Sequence, residues 1–191
     1  MAPPEATVLA PVTTTADEFE AFIARPENAD RRFELINGEI VEKMPTEKHS
    51  LVSGNAYFLI RAFVEPRGLG RVAFEVRRRV PEDNRNTFLP DVEFTSASRL
   101  QPIVERGPAY QMPDLIIEVQ SPDDTIPDMR AKAAYYLQNG ATLVWLVLTL
   151  KRMVMVLTAT TEDILREEDT LDGGDVLPGF ILPVKDLFAG T

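Results

Sequence analysis

The spacing of hydrophobic positions along the chain predicts three helices. Apolar residues recur at helical intervals in three segments, which are residues 16–23, 48–65 and 128–139. Thr15 is a typical N-cap for the first segment, whose first turn carries acidic residues that suit the helix dipole. Pro26 and Gly140 stand where the first and third helices should end.

Other hydrophobic runs have the alternation or the short length of strands. The dipeptide Asn37-Gly38 separates two alternating runs and favours a two-residue type I′ hairpin over residues 32–44. The run at 114–121 has Leu, Ile and Val on both faces, which is typical of a strand buried on both sides. The remaining strands are predicted at residues 72–80, 88–95, 142–148 and 153–157. Residues 162–175 are predicted to form an exposed acidic ribbon, and residues 178–188 to fold back over the core.

Two carboxylates lie at the ends of predicted strands. Glu118 is near the end of the apolar run 114–121, and Asp91 follows Pro90 at the start of the strand 88–95. An unpaired buried charge is costly, so Glu118 needs a partner. If the two strands pair, both carboxylates converge, and such hard oxygen ligands on a rigid sheet suit Mg²⁺ or Mn²⁺. A carboxylate after proline is also often a turn residue, and the local sequence alone favours that interpretation of Asp91.

Length and composition narrow the protein class. A chain of 191 residues with 45% hydrophobic content predicts one domain over residues 14–191, preceded by a flexible segment at 1–13. The absence of cysteine excludes disulfides and thiolate metal sites, and it favours a reducing, cytoplasmic location. No apolar run approaches the roughly 18 residues that span a membrane, so no membrane association is expected.

The charge distribution limits how the protein would meet nucleic acid. A net charge of −10 argues against a protein that coats nucleic acids, because such proteins have a basic footprint. A local basic patch remains compatible with binding, and the run 77–79 is the candidate, with Arg77 and Arg79 contacting phosphates. Arginines on an edge strand also block edge-to-edge pairing, and the two interpretations are equally supported.

Three further polar residues are candidates for the same site, each with a structural alternative. Lys132, one turn into the third helix, either reaches back across the sheet end or is solvated and paired with Asp128. Glu34 is either a third site carboxylate or a partner in a salt bridge on the strand face. His49, the single histidine, either contacts substrate or acts as a base, or it caps and packs the start of its helix.

Several of these segments together resemble a known family. The chain resembles the Uma-two-type family of putative restriction endonucleases, within the PD-(D/E)XK nuclease superfamily, in motifs that follow the family's order over about residues 14–188. The motifs are FELINGEI at 33–40, His49, LPDV at 89–92, IEVQSP at 117–122, DMRAKAAYY at 128–136, Gly140, WLV at 145–147 and PGF at 178–180.

The resemblance implies both a fold and a set of site residues. The fold is α/β (α+β), with a restriction-endonuclease-like core in which helices flank a mixed central sheet, together with additional β-hairpins. Asp91 takes the aspartate of the PD motif and Glu118 the acidic position of the (D/E)XK motif. The superfamily lysine would stand where this chain has Gln120. The resemblance implies that this lysine has moved to the following helix, where Lys132 stands, while Gln120 orients water by hydrogen bonds.

The expected function is that of a Mg²⁺- or Mn²⁺-dependent endonuclease that hydrolyses DNA. Asp91 and Glu118 would hold the metal, and Lys132, helped by Gln120, would position or polarise the attacking water. The alternative is a non-catalytic module that binds nucleic acid or protein on the same fold, since fold does not fix function. A homodimer is expected, because cleavage of two strands suits paired sites and the C-terminal apolar strands offer an edge.

Overall fold

Residues 13–191 are described by a computed structural model. The flexible segment predicted over 1–13 lies, apart from Thr13, outside these residues. The helices are α1 Ala16–Ile23, α2 Glu47–Val64, α3 Ile126–Gln138 and α4 Val184–Leu187. The strands are β1 Arg32–Ile36, β2 Glu39–Lys43, β3 Gly70–Ala73, β4 Val92–Ser96, β5 Leu115–Val119, β6 Leu143–Leu148, β7 Met153–Leu157, β8 Glu162–Arg166, β9 Thr170–Asp172 and β10 Ile181–Pro183.

The central sheet is mixed and has six strands in the order β3-β4-β5-β6-β7-β8. Only the β5–β6 pair is parallel, and α3 provides the crossover that a parallel connection requires. The other pairs of the sheet are antiparallel. A mixed α+β architecture with a central sheet and flanking helices is therefore present, as the resemblance implied.

The sheet is covered by apolar side chains on both faces, which explains its continuous hydrophobic strands. Residues of α2 pack on one face, and residues of α3 pack on the other. Neighbouring residues of β5 divide between the two layers, with Ile117 in the α2 layer and Ile116 in the α3 layer. The segment 178–188 does fold back, and Phe180 stacks on the buried Trp145 with ring centroids 6.1 Å apart.

The predicted hairpin forms a two-stranded sheet of its own from β1 and β2. Asn37 and Gly38 have φ values of 52° and 84°, the positive values that a type I′ turn needs at both central residues. Two backbone hydrogen bonds of 2.9 Å between Leu35 and Thr87 attach β1 to the segment that precedes β4. The hairpin is thus held beside the central sheet without joining its ladder.

Several predicted boundaries differ from the observed ones, and three of these differences have a physical cause. The strand predicted at 72–80 ends at Ala73, because Glu75 adopts a φ of 52° that breaks the extended chain. The strand predicted from residue 88 begins at Val92, since Pro90 has no N–H for the ladder. The helix predicted from residue 128 begins at Ile126, where Thr125 is the N-cap and accepts a hydrogen bond from the backbone N–H of Asp128.

The edge expected for a homodimer is also different. The apolar strands β6 and β7 lie inside the sheet, and the mostly exposed strand β8 forms the edge beyond them. The homodimer itself stays a prediction. Within residues 13–191, no helix is long and apolar enough to cross a membrane.

Candidate active site

The register of two strands brings the predicted carboxylates together. In the antiparallel β4–β5 pair, Val92 lies opposite Ile117. The residue before Val92 is therefore opposite the residue after Ile117, so Asp91 faces Glu118 across the pair. Both side chains are buried, with 5% of each residue exposed. The predicted convergence of Asp91 and Glu118 at neighbouring strand ends is present.

Asp91 is held as an anion by three neighbours. Its Oδ2 accepts a 2.7 Å hydrogen bond from the backbone N–H of Val119 and lies 3.1 Å from Nε2 of His49. Its Oδ1 is 3.0 Å from Nζ of Lys43. Burial alone would raise the pKa of Asp91, but the charge of Lys43 and the hydrogen bond with His49 outweigh burial and hold the pKa well below its usual range.

Glu118 has a different electrostatic environment. Its Oε1 accepts a 2.7 Å hydrogen bond from the hydroxyl of Tyr136, and its Oε2 lies 3.0 Å from Nζ of Lys132 and 3.7 Å from Nζ of Lys43. Burial raises the pKa of Glu118 above its usual value, although Lys132 and Lys43 oppose the shift. Two facing carboxylates whose pKa values are moved in opposite directions are characteristic of functional sites.

Lys132 lies inside a buried cluster of polar side chains rather than in solvent. The cluster consists of Glu34, Lys43, His49, Asp91, Glu118, Lys132 and Tyr136. The Nζ of Lys132 is 2.8 and 3.0 Å from the two carboxylate oxygens of Glu34, in addition to its contact with Glu118. Burial lowers the pKa of Lys132, but Glu118 and Glu34 outweigh burial, so the pKa is raised and the side chain is an ammonium. The proposed pairing with Asp128 is not formed, since that residue instead bonds to Thr125 at the helix start.

Glu34 and His49 also reach the cluster. Glu34 is 3% exposed, and its Oε1 accepts a 2.6 Å hydrogen bond from the backbone N–H of Leu89 while it pairs with Lys132. The backbone N–H of His49 donates to the N-cap Thr46, and its side chain contacts Asp91. Contact with substrate or a role as a base stays a prediction. Among residues 13–191, Nδ1 of His49 has no hydrogen-bond partner.

Three predicted residues lie outside the cluster's contacts. The side-chain amide of Gln120 donates to the backbone carbonyl of Asp124, 3.3 Å away. Arg77 pairs with Glu20 at 3.3 Å, and Arg79 pairs with Asp17 at 3.1 Å, so both arginines attach this segment to α1. Their role in phosphate binding stays a prediction, as does the water-orienting role of Gln120.

Two residues of the cluster, Lys43 and Tyr136, were not expected from the sequence. Tyr136 follows Lys132 by four residues on α3 and so shares its helix face, a spacing that could have revealed it. Lys43 ends the hairpin in an alternating run, where lysine usually indicates solvent. No local signal distinguishes it, because its partner Asp91 is 48 residues away. Burial lowers the pKa of Lys43, but the charges of Glu118 and Asp91 outweigh burial, so the pKa lies well above its usual value.

The oxygen atoms around the ammonium of Lys43 are of the kind that binds a hard divalent cation. Its Nζ has contacts with Oδ1 of Asp91, Oε2 of Glu118 and the carbonyl of Leu89, the last at 3.3 Å. Carboxylate and carbonyl oxygens are ligands that Mg²⁺ and Mn²⁺ accept. Over residues 13–191, no three His, Cys, Asp or Glu side chains are grouped to hold a metal. The other ligands would have to come from water or substrate phosphate.

Comparison with known proteins identifies the family of this chain. The family model of Uma2, described as "Putative restriction endonuclease", matches residues 16–185. The chain belongs to the Uma2 family. The Uma2 match includes every residue of the cluster, from Glu34 to Tyr136, and it confirms the resemblance seen in the motifs.

Among solved structures, this Uma2 protein is similar to a putative nuclease belonging to DUF820 from Anabaena variabilis ATCC 29413. The TM-score is 0.76 at 25% sequence identity, and the alignment covers 93% of this chain and 98% of the other. No curated protein matches the sequence. The fold of this chain is therefore shared with that solved structure.

Proposed function

We propose that this Uma2 protein is an endonuclease that hydrolyses phosphodiester bonds of DNA with the help of Mg²⁺ or Mn²⁺. The observation that carries the proposal is the buried pair Asp91 and Glu118, opposed on adjacent strands, with Lys132 3.0 Å from Glu118. The family description as a restriction endonuclease supports DNA as the substrate. With a net charge of −10, DNA binding would depend on a local surface.

In this proposal, Asp91 and Glu118 hold the metal. A bound divalent ion would supply Lewis-acid stabilisation of the phosphate and lower the pKa of a coordinated water. Asp91 is ready for this role at neutral pH, because the lowering of its pKa keeps it ionised. Tyr136 holds one oxygen of Glu118 by its hydroxyl, which leaves the other oxygen directed at the lysines.

Lys132 provides the positive charge next to the reacting phosphate. Its ammonium is held in place by Glu34, which is itself fixed by the backbone N–H of Leu89. A preorganised cation of this kind stabilises the charge that develops on the phosphorane-like transition state. Water attacks the phosphorus directly as the P–O bond to the leaving sugar oxygen breaks, and that oxygen takes up a proton to become a hydroxyl. No covalent intermediate with the protein forms. Gln120 would orient that water after its amide leaves the carbonyl of Asp124.

The test is a cleavage assay on plasmid, linear duplex and single-stranded DNA with Mg²⁺ or Mn²⁺. The wild type should nick or cut at least one substrate, and Asp91→Asn should abolish cleavage with its fold intact by circular dichroism. Glu162→Gln is a matched control, because it also removes one carboxylate but lies on the outer strand β8. Cleavage by Asp91→Asn at the wild-type rate would refute the assignment.

A second candidate function is a non-catalytic module that binds nucleic acid or protein on the same fold. The observation in its favour is that Lys43 already fills the space between Asp91 and Glu118. In such a module the lysines would serve only to neutralise the buried carboxylates. Calorimetric titration of Mn²⁺ separates the two functions, because the module needs no metal at Asp91 and Glu118.

A further inference from the structure

The ammonium of Lys43 contacts both of the carboxylates that the proposed function assigns to the metal. Its ammonium is 3.0 Å from Asp91, 3.7 Å from Glu118 and 3.3 Å from the carbonyl of Leu89. These are the oxygens that fit a hard cation. A Mg²⁺ ion binds oxygen at about 2.0–2.1 Å. The ammonium already contacts one oxygen of each carboxylate, so it competes with a metal ion for the same oxygens.

We propose that Lys43 is a displaceable internal cation, which fills the metal position in the metal-free protein and leaves it when a divalent ion binds. This inference rests on the proposed function, because it takes Asp91 and Glu118 as the metal ligands. It assigns to Lys43 the role of a positioning residue that sets the affinity of the site for metal.

The charge balance of the cluster supports exchange over simple addition of the metal. Without His49, the cluster holds three carboxylates, Glu34, Asp91 and Glu118, and two ammonium groups. A divalent ion added to both lysines would leave the buried cluster with excess positive charge. A divalent ion that replaces Lys43 leaves it neutral, with Lys132 still paired to Glu34. Excess charge in a buried site is disfavoured.

The position of Lys43 in the chain allows it to leave. It is the last residue of β2, in the hairpin that stands apart from the central sheet. Its side chain is 19% exposed, compared with 13% for Lys132, and the next residue, Met44, is 71% exposed. In the proposal, rotation of this partly exposed side chain brings the ammonium to solvent, and Asp91 and Glu118 stay in place.

The main test is calorimetric titration of Mn²⁺ into the wild type and Lys43→Met. We expect the variant to bind Mn²⁺ about tenfold more tightly or better, because a like charge no longer occupies the site. Lys185→Met is the matched control: it loses the same charge from an exposed position on α4 and should stay within about twofold of the wild type. The double variant Lys43→Met/Asp91→Asn should lose the gain.

Equal or weaker Mn²⁺ binding by Lys43→Met would overturn the proposal, as would a gain that persists in the double variant. A second measurement uses the wild type alone, in case the variant does not fold. An amine-reactive reagent followed by mass spectrometry should label Lys43 several-fold faster in Mn²⁺ than in EDTA, while the labelling of Lys185 stays constant. A Lys43 rate that is the same in both conditions would also overturn the proposal.

The cleavage assay distinguishes failure of this inference from failure of the proposed function. Metal-dependent cleavage together with an unchanged Lys43 would reject the exchange and retain the nuclease. Mn²⁺ binding that displaces Lys43, without cleavage of any DNA, would retain the exchange and reject the nuclease.

Discussion

The hydroxyl of Tyr136 offers a direct test of how much the buried cluster stabilises the fold. Tyr136 is fully buried and donates a 2.7 Å hydrogen bond to Oε1 of Glu118, which is itself buried. The substitution Tyr136→Phe removes only this hydroxyl. It leaves a buried carboxylate oxygen without its hydrogen-bond donor. Loss of a buried donor lowers the free energy of unfolding more than loss of an exposed hydrogen bond does.

The expected effect follows from the charge on the acceptor. A hydrogen bond to a charged group contributes about 1.5–3 kcal/mol, so Tyr136→Phe should lower the free energy of unfolding by about that amount. For a chain of this length, each kcal/mol corresponds to roughly 2–4 °C in Tm. The expected decrease in Tm is therefore about 3–12 °C. Urea denaturation with unchanged m-value would measure the free energy directly.

The neighbouring tyrosine provides a matched control. The hydroxyl of Tyr135 donates a 2.8 Å hydrogen bond to Asp83, but this pair is only partly buried, so water can replace the lost donor. Tyr135→Phe should therefore destabilise the protein by about 0.5–1.5 kcal/mol. A cost for Tyr136→Phe that does not exceed the cost for Tyr135→Phe would refute the view that Glu118 depends on this hydroxyl.

Two further predictions concern the hairpin turn and one ion pair. Gly38→Ala should lower the free energy of unfolding by about 1–2 kcal/mol, because Gly38 has a φ of 84° and an added Cβ would lie 2.8 Å from Cβ of Thr13. The control Gly54→Ala, in α2 with open space around it, should instead raise the free energy of unfolding by about 0.5–1 kcal/mol. Equal effects of the two substitutions in urea denaturation would contradict the prediction. The backbone N–H of Ser96 and the charge of Arg99 lower the pKa of Asp114 despite partial burial, so its stabilising contribution is present above its ordinary pKa of about 3.9 and is lost as pH falls through the lower folded-state pKa. Asp114→Asn should accordingly reduce the acid-induced loss of Tm, and an unchanged pH profile would contradict the assignment.

The sequence predicted elements well where a local rule decides the conformation. The Asn37-Gly38 dipeptide indicated the hairpin turn, and the N-cap Thr15 indicated the start of α1. The positive φ of Glu75, which ends β3 early, has no such rule, because non-glycine residues adopt it only where the surrounding structure requires it.

The site was predictable to the extent that register and family motifs carry it. Asp91 and Glu118 follow from strand pairing, and Lys132 follows from the resemblance. Lys43 was not predictable, because its role depends on how the hairpin docks against a segment far along the chain. His49 was ambiguous for the same reason: helix capping is a local property, while its contact with Asp91 is a tertiary one.

The separate hairpin has a consequence for local unfolding. It contributes one carboxylate, Glu34, and one ammonium, Lys43, to the cluster, while Asp91, Glu118 and Lys132 belong to the central sheet and its crossover helix. When the hairpin opens as a unit, it removes opposite charges together, and the net charge left at the sheet end does not change. Such subglobal openings are drawn from regions with few ladder bonds to the core. An opening of the hairpin would therefore expose the site without adding net charge to the sheet end.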